Sequence, residues 1–241
     1  MSSNALTLAN IPLDIPLTYN FRSLGHYPTI SGNVTKEHYY RSDSLSKVSS
    51  IGWQAMESLR IKTIVDLRSS IEIQKDPTPM TYSFQTVSIS LLDDMASNGF
   101  THSSCSSLSS VYIGLLESQK DKLSDIFKLL AEEKDPIVFH CTAGKDRTGV
   151  IAMLLLDLAQ VKEEHILADY SVSAEYMQIP FQKIRAMQPQ ADDMFFESPV
   201  LEMIKTRDWL KHHFCDAQGY LKNGLKLSNQ DILAIQKNLF D

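Results

Sequence analysis

The sequence has few cysteines, no excess of basic residues and no long apolar run, and each shortage argues against a class of protein. Its three cysteines, Cys105, Cys141 and Cys215, do not make a disulfide framework, which favours a reducing compartment. The formal net charge of −6 argues against the broad basic surface that nucleic acids or anionic membranes attract. The longest apolar run, over residues 150–156, is too short to cross a bilayer. We therefore expect no nucleic-acid partner and no transmembrane segment.

Signals for secretion and for metal binding are also missing. The first sixteen residues lack a basic start and a long apolar stretch, so we expect a cytoplasmic protein; export by a route without a Sec-type signal stays open. No pair of cysteines has metal-ligand spacing, and the adjacent His212 and His213 face different ways on a predicted helix. Neither a metal nor another cofactor is predicted.

The most informative stretch is His140 to Gly149, which reads His-Cys-Thr-Ala-Gly-Lys-Asp-Arg-Thr-Gly. The apolar residues 137–139 precede it and have the β-branched character of a buried strand. The longer apolar run over residues 150–156 follows it and predicts a buried helix. The stretch is therefore predicted to connect a strand to a helix.

A turn of this kind suits the binding of an anion, above all phosphate. Its backbone N–H groups and the positive end of the following helix point toward its centre. Gly144 and Gly149 allow the tight backbone that is needed, and the fork of Arg147 can bind two phosphate oxygens. Arg147, Lys145 and the helix dipole favour the thiolate form of Cys141. Such a thiolate can attack phosphorus and form a phosphocysteine that water then hydrolyses.

These ten residues resemble the signature of the protein tyrosine phosphatase superfamily, in which His-Cys is followed after five residues by Arg and then Ser or Thr. The Gly144–Gly149 part is similar to a bacterial and fungal branch of tyrosine and phosphoinositide phosphatases. Ser23 and His26 depart from that branch, which tends to have Asp and Gly there. Weaker matches extend along the chain: Asn20-Phe21-Arg22, Leu24-Gly25, Tyr27, Tyr40-Arg41-Ser42, Val65-Asp66-Leu67-Arg68, Glu72, Asp169-Tyr170 and Gly219-Tyr220-Leu221.

The resemblance implies roles for Cys141, Arg147, Thr148 and the residues between Cys141 and Asp146. Cys141 would be the nucleophile and Arg147 would bind the phosphate. The Thr148 hydroxyl would donate a hydrogen bond to the sulfur in the second step. His140 is predicted to hold the turn in place without shuttling protons. The backbone amides that bind the substrate would come from Thr142, Ala143, Gly144 and Lys145.

The general acid is left open between three options. Members of the superfamily usually carry an aspartate on a separate upstream loop, but the corresponding window, about residues 107–117, contains none. Asp146 within the stretch is the first candidate. Asp93 or Asp94, at the start of a serine-rich segment, is the second, and the absence of a dedicated acid is the third.

The substrate is also left open. In lipid phosphatases of the superfamily a lysine in the loop accompanies phosphoinositide recognition, so Lys145 implies phosphoinositides beside phosphotyrosine, with phosphoserine and phosphothreonine as a further option. Arg22, Arg41 and Arg68 lie near predicted strand ends, where they would either enlarge an anionic pocket or, as most scattered arginines do, serve the structure. Asp66 is a candidate partner for one of them.

Two other functions compete with a phosphomonoesterase. A binding module that only recognises phosphorylated ligands would be expected to lose Cys141 or Arg147, and both are present. An enzyme that handles thiols or arsenate with a similar loop would need a second reactive thiol, for which Cys105 is the candidate.

The order of elements predicts an α/β fold similar to that of protein tyrosine phosphatases, with a central, mostly parallel sheet flanked by helices. We expect one domain over residues 1–241 with a helical extension over about 163–241. The serine-rich segment, about residues 93–118, is predicted to be either an exposed loop or a lid-like insertion over the site.

Overall fold

The computed structural model describes residues 9–79, 83–92 and 107–241, and its strands form a single sheet. The strands within the described ranges are short: β1 (Arg22–Ser23), β2 (Tyr39–Ser42), β3 (Thr63–Asp66), β4 (Gln85–Ser88) and β5 (Ile137–His140). Their order across the sheet is β1-β2-β5-β3-β4, and all neighbours are parallel except β1 and β2. The predicted α/β fold with a mostly parallel sheet is confirmed.

Helices cover both faces of this sheet and make up nearly all of the chain after β5. The first five are α1 (Ser50–Ser58), α2 (Ser70–Lys75), α3 (Leu108–Ser118), α4 (Lys120–Glu132) and α5 (Arg147–Leu158). The later ones are α6 (Glu163–Tyr176), α7 (Gln178–Met187), a 3₁₀ turn (Asp193–Phe195), α8 (Val200–Phe214), α9 (Ala217–Gly219) with a π-helical turn (Tyr220–Gly224), and α10 (Asn229–Phe240).

Alternation along the strands divides the apolar core into two layers. Val65 and Phe139 face the larger layer, whose helical part includes residues of α3, α4, α5, α8 and α10. Ile64 and Val138, one position away on the same strands, face a smaller layer with Trp53 of α1. This follows from the two-residue period of a strand, which sends successive side chains to opposite faces.

The serine-rich segment differs from the prediction in its second half. Residues 93–106, with Asp93, Asp94 and Cys105, lie outside the described residues. From Leu108 the chain forms α3, whose buried side chains include Tyr112 and Leu115, so this part is a core helix and neither a loop nor a lid. Ser107 caps its N-terminus by accepting a hydrogen bond from the Ser110 N–H. The apolar positions of this helix have helical spacing, but the serines between them weaken that pattern.

The pairing of β1 with β2 is restricted to two residues of each strand, Arg22 with Arg41 and Ser23 with Tyr40. The last helix begins with a capping box that Ser228 and Asp231 form. Among the helices of the described ranges, none combines the length and apolar character required to cross a bilayer.

Replacing Leu115 tests whether α3 belongs to the core. Leu115 is 1% exposed, so Leu115→Ala should lower the free energy of unfolding by about 2–5 kcal/mol, as buried leucine truncations do. Leu233 of α10 is 63% exposed, and Leu233→Ala should change that free energy by less than about 0.5 kcal/mol. Urea denaturation of both variants measures the difference. Equal losses in the two variants would show that α3 does not pack in the core.

Candidate active site

The ends of three parallel strands meet at one edge of the sheet, and Cys141 begins the turn at that edge. His140, the last residue of β5, lies in register between Ser42 of β2 and Asp66 of β3. Residues 141–146, called the central turn below, then lead into α5 at Arg147. Cys141 is 2% exposed, and α5 begins six residues after it at Arg147. This edge is where parallel sheets bind ligands, and the helix N-terminus favours an anion.

Gly144 is required by the geometry of the central turn. Its φ is +65°, a conformation that residues with side chains rarely adopt. A Cβ atom at this position would lie 2.4 Å from the carbonyl oxygen of Ser42 and 2.7 Å from the backbone nitrogen of Asp43. The central turn therefore presses directly against the end of β2, and only glycine fits.

Two carbonyl groups of the central turn bond to side chains beneath it. The amide of Asn20 donates to the Ala143 oxygen at 2.9 Å and to the Gly144 oxygen at 3.1 Å, and Arg41 Nη2 donates to the Gly144 oxygen at 2.6 Å. The C=O and N–H of a peptide unit point in opposite directions. The N–H groups of Gly144 and Lys145 are therefore directed away from Asn20 and Arg41, as an anion-binding turn requires.

Arg22 and Arg41 are fully buried and share the carboxylate of Asp169 on α6. Arg22 Nε lies 2.9 Å from Asp169 Oδ1, and the Tyr27 hydroxyl donates to the same oxygen at 3.0 Å. Arg41 Nη1 donates to the other oxygen, Oδ2. Burial by itself would raise the pKa of Asp169, but the two arginines hold it below its usual range. Arg41 supports the central turn directly and Arg22 supports it through Asn20, so of the two roles that the sequence left open the contacts of both arginines favour the structural one.

Glu72 of α2 holds the guanidinium of Arg147. The distances are 2.7 Å from Nη1 to Oε2 and 2.8 Å from Nη2 to Oε1, and the Thr142 hydroxyl also donates to Oε1. Burial alone would raise the pKa of Glu72, but the hydrogen bonds and charge of Arg147 lower it well below its usual range. Among the described residues no acceptor bonds Arg147 Nε, so this edge of the fork is available to a ligand.

The sequence carried a signal for Glu72 that pointed to local structure. Ser69 and Glu72 form a capping box, in which the Ser69 N–H donates to Glu72 Oε2 at 2.8 Å and the Glu72 N–H donates to Ser69 Oγ at 3.2 Å. Ser-x-x-Glu predicts a helix start, and only the fold shows that the same carboxylate also reaches Arg147.

Arg68, Asp66 and His140 stabilise the surroundings of the central turn. Arg68 bonds Asp66 through Nε and Nη2, and its Nη1 donates to Ser44 Oγ at 3.0 Å, so Asp66 is the partner that was anticipated. His140 Nδ1 lies 3.2 Å from the carbonyl oxygen of Cys141. Burial lowers the pKa of His140 to about 4, so its ring is neutral at pH 7. A neutral, enclosed ring agrees with a holding role for this histidine.

Lys145 is fully buried, and its ammonium group points away from the open side of the turn. It donates to the carbonyl oxygens of Met194 at 3.1 Å, Phe195 at 3.1 Å and Glu197 at 2.6 Å. An ammonium group has three N–H donors, and all three are used. Lys145 thus holds the segment after the 3₁₀ turn against the central turn, and a direct contact with substrate would require these bonds to break.

Asp146 lies at the last position before α5, and its side chain reaches Tyr112 of α3. The Tyr112 hydroxyl donates to Asp146 Oδ1 at 2.5 Å, and Lys145 Nζ lies 3.4 Å from the same oxygen. The carboxyl is 35% exposed. No motif in the sequence predicted the contribution of Tyr112, because it comes from the helix hidden in the serine-rich segment. Asp93 and Asp94, the other candidates for the acid, lie outside the described residues.

The Thr148 hydroxyl is buried and has no hydrogen-bond partner within the part of the chain that the structure describes. Its predicted contact with the sulfur of Cys141 stays a prediction. An apolar cluster of Met177, Phe181 and Phe196 packs against Ala143 on one side of the central turn. On the side of Thr142 and Glu72 lies an open cavity of about 440 Å³. No group of histidine, cysteine and acidic side chains in the described ranges is arranged to hold a metal ion.

Comparison with known proteins shows similarity to tyrosine phosphatases. A model of the tyrosine phosphatase family matches residues 13–241. A tyrosine-protein phosphatase of Nostoc commune is 31% identical over 150 residues, which cover 60% of this chain and 51%, about half, of that protein. The triple specificity protein phosphatase PtpB of Mycobacterium tuberculosis is 24% identical over 226 residues, which cover 80% of each chain.

A pair of glycine variants tests the packing of the central turn. Gly144→Ala should abolish measurable binding of inorganic phosphate, because the added Cβ would push the turn away from β2 and disturb its amides. Gly32 also has a positive φ, +86°, but a Cβ there would meet nothing within 4 Å. Gly32→Ala should therefore cost about 1–2 kcal/mol of stability from backbone strain alone and leave phosphate binding unchanged. Isothermal calorimetry and urea denaturation measure both effects. Wild-type phosphate affinity in Gly144→Ala would contradict the described turn.

Proposed function

The chain belongs to the tyrosine phosphatase family, and from this premise we propose that it hydrolyses phosphotyrosine through a phosphocysteine intermediate. The single observation that supports this most strongly is the construction of the central turn. Its Ala143 and Gly144 carbonyl groups are bonded from beneath, Cys141 lies at its start, and Glu72 holds Arg147 beside it. Such a turn can surround a tetrahedral phosphate next to a thiolate.

In the first step, the Cys141 thiolate attacks phosphorus opposite the leaving oxygen. The backbone amides of the turn and the free edge of Arg147 bind the three equatorial oxygens, on which the transition-state charge is spread. The P–O bond breaks, its electron pair stays on the leaving oxygen, and a proton from the Asp146 carboxyl neutralises that oxygen. The neutral alcohol or phenol then leaves.

In the second step, water attacks the phosphocysteine. The Asp146 carboxylate takes a proton from the water, the S–P bond breaks, and the thiolate and inorganic phosphate are released. The unpartnered hydroxyl of Thr148 is the group proposed to stabilise the departing sulfur. Asp146 is preferred as the acid because it adjoins Arg147 and is partly exposed; Asp93 or Asp94 is the alternative.

The apolar side of the site supports an aromatic substrate. Ala143 packs against the buried cluster of Met177, Phe181 and Phe196, so the surroundings of the turn are apolar on this side, which suits the ring of phosphotyrosine. The sparse cysteines support action in a reducing compartment, so the cytoplasm is the proposed location.

Phosphoinositides are the second candidate substrate class, with phosphoserine and phosphothreonine as further protein substrates. The relative PtpB is named a triple specificity phosphatase, and it matches 80% of this chain. The buried ammonium of Lys145 also adds positive charge beneath the turn, which favours anions of any class.

Replacement of the nucleophile tests the covalent mechanism. Cys141→Ser should lower kcat/KM for a phosphotyrosine peptide by at least about a thousandfold, as losses of other catalytic nucleophiles do. It should also abolish the phosphoenzyme that rapid acid quenching traps in the wild type. Cys215 is exposed and free, and Cys215→Ser is the matched control that should retain full activity. Hydrolysis at the wild-type rate by Cys141→Ser would overturn the covalent mechanism.

A substrate panel with Lys145→Met tests the second candidate. We expect the wild type to hydrolyse both phosphotyrosine peptides and short-chain phosphoinositides. Because Lys145 binds three backbone carbonyls, its replacement should lower kcat/KM for both classes by the same factor, on the order of tenfold. Lys183→Met, on the exposed surface of α7, is the control.

Two results of this panel would contradict parts of the proposal. The absence of phosphoinositide hydrolysis in the wild type would exclude that substrate class. A loss in Lys145→Met that is confined to phosphoinositides would show that Lys145 leaves its carbonyl partners to bind the headgroup.

A further inference from the structure

We propose that Tyr112, supported by Tyr170, is the positioning residue for the Asp146 carboxyl in the proton transfer to the leaving group. This role rests on the proposed phosphatase reaction, in which a carboxyl must protonate the departing oxygen. It assigns a function to two buried hydroxyl groups, on α3 and α6, that the phosphate-binding turn itself does not use.

The contact between Tyr112 and Asp146 is short and one-sided. The Tyr112 hydroxyl lies 2.5 Å from Asp146 Oδ1, and Lys145 Nζ lies 3.4 Å from the same oxygen. The tyrosine is fully buried, whereas the carboxyl is 35% exposed and lies at the boundary of the protein. Among the described residues no hydrogen bond is made to Oδ2. One oxygen is therefore held from inside, and the other is available to a substrate.

Tyr170 fixes the position of Tyr112. The two hydroxyl oxygens are 2.8 Å apart, and the rings meet edge to face with their centroids 5.9 Å apart. The Tyr170 ring also packs against α5, because a Cβ on Gly149 would lie only 3.4 Å from its Cδ2 atom. The residue before it, Asp169, binds the arginines under the central turn. One turn of α6 thus supports both the phosphate-binding turn and the carboxyl.

The chemistry of a hydroxyl suits this position. When Tyr170 donates to Tyr112, Tyr112 can donate to Oδ1, and the two bonds polarise each other in one direction. The arrangement is the same when Oδ2 carries a proton and after that proton has moved to the leaving oxygen, because Oδ1 accepts in both states. Burial, reinforced by the charge of Asp146, raises the pKa of Tyr112 well above its usual value, so its hydroxyl remains a donor. The carboxyl needs no reorientation during the reaction.

Tyr112 could also act only by holding α3 in place, and a second tyrosine that bonds to the same helix provides the control for that effect. The Tyr220 hydroxyl is buried and donates to the carbonyl oxygen of Leu116 at 2.6 Å, one turn beyond Tyr112. Tyr220→Phe removes a buried hydrogen bond to α3 without touching Asp146. Any effect of Tyr112→Phe that arises only from looser packing of α3 should therefore appear in Tyr220→Phe as well.

The test compares substrates whose leaving groups differ in their need for a proton. p-Nitrophenolate departs readily without one, whereas the phenolate of phenyl phosphate departs poorly. kcat/KM reports the first chemical step. Tyr112→Phe should lower kcat/KM for phenyl phosphate about tenfold more than for p-nitrophenyl phosphate, a fraction of the 10²–10⁴ that a general acid contributes. We call this difference between the losses on the two substrates the split. Asp146→Asn should show a larger split in the same direction, and Tyr220→Phe should show none.

Each other outcome of this experiment overturns a defined part of the inference. Equal losses on the two substrates in Tyr112→Phe, or the same split in Tyr220→Phe, would reduce Tyr112 to a packing residue. If Asp146→Asn loses equal activity on the two substrates and its hydrolysis still depends on Cys141, Asp146 is not the acid. The role proposed for Tyr112 would then fall, while the phosphatase reaction would stand. Hydrolysis that persists in Cys141→Ser would instead refute the proposed function.

Tyr170→Phe keeps the inference testable if Tyr112→Phe does not fold. It leaves the bond from Tyr112 to Asp146 in place and removes only the support behind it. We expect a smaller split of the same direction, two- to threefold, with an unchanged circular dichroism spectrum. No split in a folded Tyr170→Phe variant would show that Tyr112 needs no support from α6.

Discussion

The hydrogen bonds from Asn20 and Arg41 to the carbonyl groups of Ala143 and Gly144 determine the orientation of the whole site. They hold two carbonyl oxygens inside the protein and so direct the following amides to the open side. The close approach of the turn to β2 is part of the same constraint, because it requires a glycine with φ of +65° at position 144. Cys141 and Asp146 are the first and last residues of this turn and Arg147 follows directly, so all three side chains take their positions from it.

Depth in the protein decides what each arginine does. Arg22 and Arg41 lie in the interior, where an unpaired charge would cost several kcal/mol, and both bind the carboxylate of Asp169. Arg41 also donates to the Gly144 carbonyl oxygen of the turn, and Arg22 donates to the carbonyl oxygens of Asn20 and Asp169, which makes both arginines structural supports. Arg147 lies at the edge of the site, and Glu72 occupies only part of its fork. An arginine is therefore structural in the protein interior, as Arg22 and Arg41 are, and available to a ligand at the edge of the site, as Arg147 is.

The successes and failures of prediction follow from the range of the interactions involved. The strand, turn and helix around Cys141 depend on neighbouring residues, and the sequence predicts all three correctly. The helix α3 was missed because its serines obscured an apolar spacing that only packing made decisive. The direction of the Lys145 ammonium was also beyond prediction, since its three carbonyl partners lie about fifty residues further along the chain.

The sequence by itself determined the chemistry that is available: a cysteine and an arginine with five residues between them, in a turn between an apolar strand and an apolar helix. Spacing of this kind is local, and local geometry follows from the residues themselves. Only the tertiary structure decided which groups surround that turn. Glu72 beside Arg147 and Tyr112 beside Asp146 come from elements separated by 75 and 34 residues from their partners, and no periodicity records such contacts. They arise because parallel strands bring their ends, and the helices that follow them, to one edge of the sheet.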